Sequence, residues 1–141
     1  MKNKSLRFKY MDIIDVDITL TQNYTVLNGD SATGKSYLYE VLSSYALENP
    51  DENLICLDDS FIGRTDQALN IIKNADDAII VIDQANILLD HNELERYIDH
   101  DVRNYYVIMS RHFAKRYSEL AKPVITKNSI SIKYKLNTVR R

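Results

Sequence analysis

Apolar and polar residues fall along this chain in short blocks that switch between a period of two and a helical period. In "IDVDITLTQ", Ile14, Val16, Ile18 and Leu20 share one face and Asp15, Asp17 and Thr19 the other, the pattern of a half-exposed strand. "NYTVLN" is a short apolar run ending at a glycine-containing loop. Beyond the loop, Leu38, Val41, Leu42 and Tyr45 recur at helical spacing, and "ENPDEN" ends that helix. "LICLD" predicts a buried strand. "RTDQALNIIKNA" predicts a helix with Ala68, Leu69 and Ile72 turned inward. "AIIVID" is the next buried strand, and "NELERYIDH" a short helix N-capped by Asn92 or Asp90. "YYVIMS" is a further buried strand. "FAKRYSELA" reads as a helix stopped before Pro123. Finally "SISIKYKLN" alternates, with Ile130, Ile132, Tyr134 and Leu136 on one face; it reads as an edge strand whose exposed side Lys133 and Lys135 blunt.

Strands alternating with helices predict an α/β fold with a mainly parallel sheet. The 141 residues suffice for one domain, and with three glycines, two prolines and no low-complexity linker, residues 1–141 read as a single unit. The longest apolar run, "AIIVI", is too short for a bilayer, and "MKNKSLRFKYMD" has no apolar segment behind its basic residues. No membrane partner is expected. Cys56 is the only cysteine, which excludes an intramolecular disulfide; a buried strand thiol in a reduced, cytoplasmic setting is the expectation.

Charge adds one feature that the net value of −2 conceals: from Arg103 onward there are ten Lys or Arg and one acid, Glu119. This basic C-terminal third suits an anionic protein or nucleic-acid partner, or equally a solvated edge beside the acidic remainder. It lacks the aromatic-interleaved basic pattern of RNA-binding modules.

The chemistry is concentrated in "LNGDSATGKS". Gly29, four residues, then Gly34, Lys35 and Ser36 match G-x-x-x-x-G-K-[ST], between an apolar strand and an amphipathic helix. The glycines let the backbone approach an anion closely. The amides around Asp30, Ser31, Ala32 and Thr33, together with the helix N-terminus that continues into Tyr37, would then point at phosphate oxygens. Lys35 would reach the β- and γ-phosphates, and the Ser36 hydroxyl would ligate Mg²⁺. Downstream, "AIIVIDQAN" delivers Asp83 at the end of a buried strand, where one carboxylate would hold the shell of a nucleotide-bound Mg²⁺.

These segments resemble the P-loop NTPase superfamily, with residues 29–36 as Walker A and 79–83 as Walker B. The strand "YYVIMS" resembles the sensor strand of the branch containing AAA+, RecA-like and ABC-type ATPases. The layout is also similar to small P-loop proteins carried on mobile elements, for which no activity is implied. The resemblance covers roughly residues 13 to 126 and implies a three-layer α/β/α sandwich of strand order 5-1-4-3-2, with "IDVDITLTQ" and the last strand added antiparallel. It implies Ser110 near the γ-phosphate, with Arg111 and His112 just behind it; no clear arginine finger is present, Arg111 being the best cis candidate and Arg64 a weaker one. The implied cofactors are ATP or another NTP, and Mg²⁺; no N/T-K-x-D motif for guanine is present, which favours ATP.

One position departs from that pattern. Hydrolytic members follow the Walker B aspartate with a glutamate; here it is Gln84, whose amide can orient water but cannot take a proton. The expected function is therefore Mg-ATP binding with weak or partner-dependent hydrolysis. The alternatives are a non-catalytic nucleotide- or anion-binding module, and a small-molecule kinase using Asp58 or Asp59 at the end of "LICLDD" with "SRHFAKR" as a minimal lid. The kinase requires that strand to lie close to "YTVLN". His91, His100 and His112 form no metal-ligand pattern with Cys56. Tyr37, Tyr39, Tyr45, Tyr105 and Tyr106 read as core or helix-face residues, with the alternative that one of them packs against an adenine ring.

Overall fold

The computed structural model describes residues 3–12, 14–28, 35–110, 119–127 and 132–139, with side chains described for 3–12, 14–26 and 37–109. Eight strands form one sheet: β1 (Lys4–Tyr10), β2 (Ile14–Leu20), β3 (Tyr24–Asn28), β4 (Leu54–Leu57), β5 (Ile79–Ile82), β6 (Tyr105–Ser110), β7 (Glu119–Lys127) and β8 (Ile132–Val139). Four α-helices accompany them: α1 (Lys35–Glu48), α2 (Thr65–Lys73), α3 (Ala85–Leu88) and α4 (Glu93–His100). The strand order is β1-β2-β8-β7-β3-β6-β5-β4. β4, β5, β6 and β3 are consecutive parallel neighbours, and β7 pairs parallel with β3 on its other side. The α/β class with a parallel centre is thus as the periodicities predict.

The central strands are buried on both faces, which explains their unbroken apolar runs. Ile79 and Val81 of β5 and Tyr105, Val107 and Met109 of β6 pack with Leu38, Tyr39, Val41 and Leu42 of α1. Their alternate residues, Ile80, Ile82, Tyr106 and Ile108, pack with Ala68, Leu69 and Ile72 of α2, Leu88 of α3 and Leu94 and Ile98 of α4. Two apolar clusters therefore lie on opposite sides of the sheet. Each fully buried aliphatic side chain contributes roughly 1.5–3 kcal/mol of transfer free energy. The inward residues of α2 are those its sequence predicts, and α4 is N-capped by Asn92, whose side chain accepts from the Glu95 N–H at 2.9 Å.

Three expectations are corrected. "FAKRYSELA" is not a helix to residue 121, because Glu119–Ala121 already belong to β7; its residues 113–118 lie outside the described residues. Pairing of β7 with β3 ends at Ala121, so Pro123 falls beyond the stretch where β3 needs a donor. The last strand is not an edge: β8 pairs antiparallel with β7 and parallel with β2. Its register sets Lys133 opposite Asp15 and Lys135 opposite Asp17, so the alternating charge matches a neighbouring strand instead of warding one off. β2 alternates buried and half-buried residues as predicted, but its antiparallel partner is β1, a strand the hydrophobic pattern left unread.

β1 and β2 also cover α1. Phe8 stacks on Tyr45 with ring centroids 3.7 Å apart, Leu6 joins the cluster that contains Leu54 and Ile79, and Lys4 bonds Asp77 at 3.1 Å. The first hairpin thus reaches the far end of the strand order and closes over the helix. No helix among the described residues is long and apolar enough to cross a membrane.

Candidate functional site

Because β3, β4, β5 and β6 are parallel, their C-terminal ends lie along one edge of the sheet, where ligands of open α/β sheets bind. All four of these ends carry residues singled out from the sequence, Asp58 and Asp59 following β4. β3 ends at Asn28 and α1 begins at Lys35, so the segment 29–34 joins a parallel strand to a helix. The residues Gly29, Asp30, Ser31, Ala32, Thr33 and Gly34 themselves lie outside the described residues, as does Arg111, and the side chains of Lys35, Ser36 and Ser110 are likewise not described. Ser110, the last residue of β6, is the register partner of Asn28. Asp83 follows β5 directly, and its N–H donates to the Leu57 carbonyl at 2.9 Å. The loop entrance, Ser110 and Asp83 thus come to one edge from three adjacent strands.

Asp83 is half-buried and Gln84 exposed. Gln84 turns the chain sharply from β5 into α3: its φ of 55° and ψ of 40° are left-handed, and its carbonyl accepts from Ile87 and Leu88 at 3.0 Å. A non-glycine residue in that region carries a cost of order 1 kcal/mol or more. Tyr37, in the first turn of α1, is 43% exposed.

The end of β4 supplies a polar cluster that the sequence reading did not connect with the loop. The Asp58 carboxylate accepts from the Ser60 N–H at 3.0 Å, and its charge acts on the Tyr39 phenol. Burial, followed by the charges of Cys56, Asp58 and Asp83, raises the Tyr39 pKa well above its ordinary value. Cys56 is half-buried instead of fully buried, and burial with the nearby Asp58 charge pushes its thiol up to about 12. It is a protonated, unreactive thiol at neutral pH.

Other candidates are placed away from this edge or engaged elsewhere. Arg64 lies over the Phe61 ring, 5.2 Å from its centroid, and donates to the Ser60 carbonyl at 3.1 Å. His100 Nδ1 meets the Arg96 carbonyl at 2.8 Å, and His91 lies 3.9 Å from Glu95. His112 is outside the described residues. Among the described residues no three His, Cys, Asp or Glu side chains gather to hold a metal. One strand-end carboxylate nevertheless suits Mg²⁺ that arrives with a nucleotide, since phosphate oxygens and water then supply the other ligands.

Comparison with known proteins finds no matching family model, no matching curated protein and no matching solved structure.

Proposed function

We propose that this chain is a P-loop NTPase-like domain that binds ATP, or another nucleoside triphosphate, with Mg²⁺ and hydrolyses it weakly or only with a partner. The observation that carries the reading is the sequence G-x-x-x-x-G-K-S between β3 and α1, with Ser110 and Asp83 at the ends of the next two strands across the sheet. The backbone amides from Gly29 to Gly34 would cradle phosphates, Lys35 would neutralise them, and Ser36 and Asp83 would face the cation and its water shell. Numbering β3, β4, β5, β6 and β7 as one to five makes their order 5-1-4-3-2, which, with apolar clusters on both faces, supports the three-layer α/β/α reading. Titration of ATP and Mg²⁺ into wild type and Lys35→Ala tests the proposal.

Gln84 favours a second reading. A side chain that cannot accept a proton, held in an unfavourable backbone conformation beside Asp83, suits a nucleotide-dependent switch or a non-catalytic interaction module. The basic C-terminal third would then contact a protein or nucleic acid. The kinase reading loses its geometric requirement: β5 and β6 separate β4 from β3, so Asp58 and Asp59 are about 14 Å of strand spacing from the loop strand.

A further inference from the structure

The two end strands of the sheet differ in how they are protected. β1 carries Lys4, Arg7 and Lys9, charges of the kind that keep an edge from pairing. β4 reads Leu-Ile-Cys-Leu, with no charge and no proline. Among the described residues its one strand neighbour is β5. Leu6 of β1 packs in one apolar cluster with Leu54, yet the two strands are not paired. Ile55 and Cys56 are half-buried, whereas all four residues of β5 are buried. The backbone is open on the same side. The Asn53 and Leu57 carbonyls accept from the Ile79 and Asp83 N–H groups, both at 2.9 Å. Successive residues of a strand direct their N–H and C=O groups to opposite sides, so those of Cys56, and the Leu54 carbonyl, face away from β5. Charge brackets this edge: Asp51 and Glu52 precede β4, and Asp58 and Asp59 follow it. From Glu48 to Asp66 there are six acids and one base, Arg64, which donates to the Ser60 carbonyl at 3.1 Å. Half-buried Phe61 and Ile62, 53% exposed, add apolar surface beyond Asp59. Pairing of β4 with the β4 of a second copy would set acids beside acids at both ends, whether parallel or antiparallel.

We propose that the open edge of β4 takes up an extended segment of another protein, one whose short apolar run is bracketed by Lys or Arg. The segment would pair its main chain along Leu54–Leu57, about 13 Å of strand. Main-chain hydrogen bonds to Cys56 and Leu54 supply affinity, and the half-buried Ile55, Cys56 and Phe61 offer apolar surface to its side chains. The acids at either end of β4 select the bracketing bases and reject an acidic segment. This surface includes no residue of 29–36 and is independent of the nucleotide reading.

The test is fluorescence anisotropy of two labelled peptides, Lys-Lys-Val-Ile-Val-Ile-Lys-Lys and the same core flanked by Glu, titrated with the full chain. Wild type should bind the Lys peptide saturably and at least about tenfold more tightly than the Glu peptide. Amide hydrogen exchange at Cys56 should slow when the Lys peptide is bound. Cys56→Pro removes the outward N–H and spares the ladder to β5, so it should lose about tenfold in affinity while remaining folded by circular dichroism. Asp51→Lys with Asp59→Lys brings each flank of β4 to zero net charge and should abolish the preference between the peptides. That variant tests the charge rule even where the proline variant does not fold. No saturable binding by wild type, or equal affinity for the two peptides, would overturn the proposal. So would full affinity in a folded Cys56→Pro, or the wild-type preference in the folded lysine variant. Self-association of the protein alone, seen by sedimentation and abolished by Cys56→Pro, would also overturn it, because the edge would then belong to a second copy.

Discussion

Asn28 and Ser110 are register partners at the last paired position of β3 and β6. β3 ends at Asn28, immediately before the glycine-containing segment in sequence, and the tip of β6 lies beside that end. On the other side of β6, Ile108 partners Ile82, one residue before Asp83. Chemistry separated by more than fifty residues in sequence thus converges along about 10 Å of sheet edge, two strand spacings wide.

Gln84 should limit hydrolysis. Gln84→Glu introduces a group that can accept a proton beside Asp83, and phosphate release measured with Mg-ATP should rise at least about tenfold, within the range contributed by a placed general base. No increase in a variant that still binds ATP would mean that a different group activates water.

The backbone at Gln84 makes a separate prediction. Glycine occupies φ near 55° without the Cβ penalty. Gln84→Gly should therefore hold stability within about 1 kcal/mol of wild type, the strain relieved offsetting the added flexibility of the unfolded chain. Urea unfolding reads this as a nearly unchanged midpoint. A proline at the same position, with φ fixed near −65°, should destabilise strongly.

At the opposite end of the sheet, Asn104 holds the entry to β5 and β6. Its Oδ1 accepts from the Ala78 N–H at 3.0 Å, and its Nδ2 donates to the Ala75 carbonyl at 3.2 Å and to Asp101 at 2.8 Å. Asn104 is fully buried, so Asn104→Ala strands these partners and should cost about 2–3 kcal/mol in denaturant unfolding. ATP affinity of the folded fraction should be unaffected, because the loop edge lies at the other end of the strands.

Stability should fall at both pH extremes for identifiable reasons. Burial would raise the Asp101 pKa, but hydrogen bonds from Tyr106, Asn104 and the Arg103 N–H, with the Arg103 charge, outweigh it and hold the carboxyl below its ordinary value. The stabilisation is present above the unfolded-state pKa, about 3.9, and is lost as pH falls through the lower folded value. Tyr106 and Tyr39 shift the other way: burial, with Asp101 beside Tyr106 and several negative charges around Tyr39, raises both phenols. Their contribution is complete below about pH 10 and declines above it, where the unfolded chain ionises first. Thermal melting against pH should show both limbs. In Asp101→Asn the acid limb should flatten, and in Tyr106→Phe the alkaline limb.

Much of this was legible from periodicity. Ala68, Leu69 and Ile72 announce the inner face of α2, and unbroken "AIIVI" announces a strand buried on both sides. β1 was not marked out, although Leu6, Phe8 and Tyr10 alternate with Arg7 and Lys9 at a period of two, because three apolar positions in a basic stretch make a weak strand signal; Arg7 and Lys9 pair with Asp17 and Asp15 once β2 lies alongside. Nor does its hairpin carry a glycine signal: Met11 and Asp12 adopt φ of 53° and 61° themselves. The helical spacing in "FAKRYSELA" was overridden where Glu119–Ala121 pair with β3. At the proposed site, residues 29–36 stand out in the sequence by motif and Asp83 by its place at the end of an apolar run. The influence of Asp58 and Asp83 on Tyr39 joins a helix to two strand ends, and no local pattern encodes it.

The central claim is that the loop from Gly29 to Ser36 binds a nucleoside triphosphate with Mg²⁺. Isothermal titration of ATP with Mg²⁺ into wild type and Lys35→Ala tests it most directly. The account predicts saturable one-site binding by wild type and loss of at least about tenfold in affinity in a folded Lys35→Ala, as expected for removing a charge-assisted phosphate contact. No binding by wild type, or the same affinity in both proteins, would contradict it.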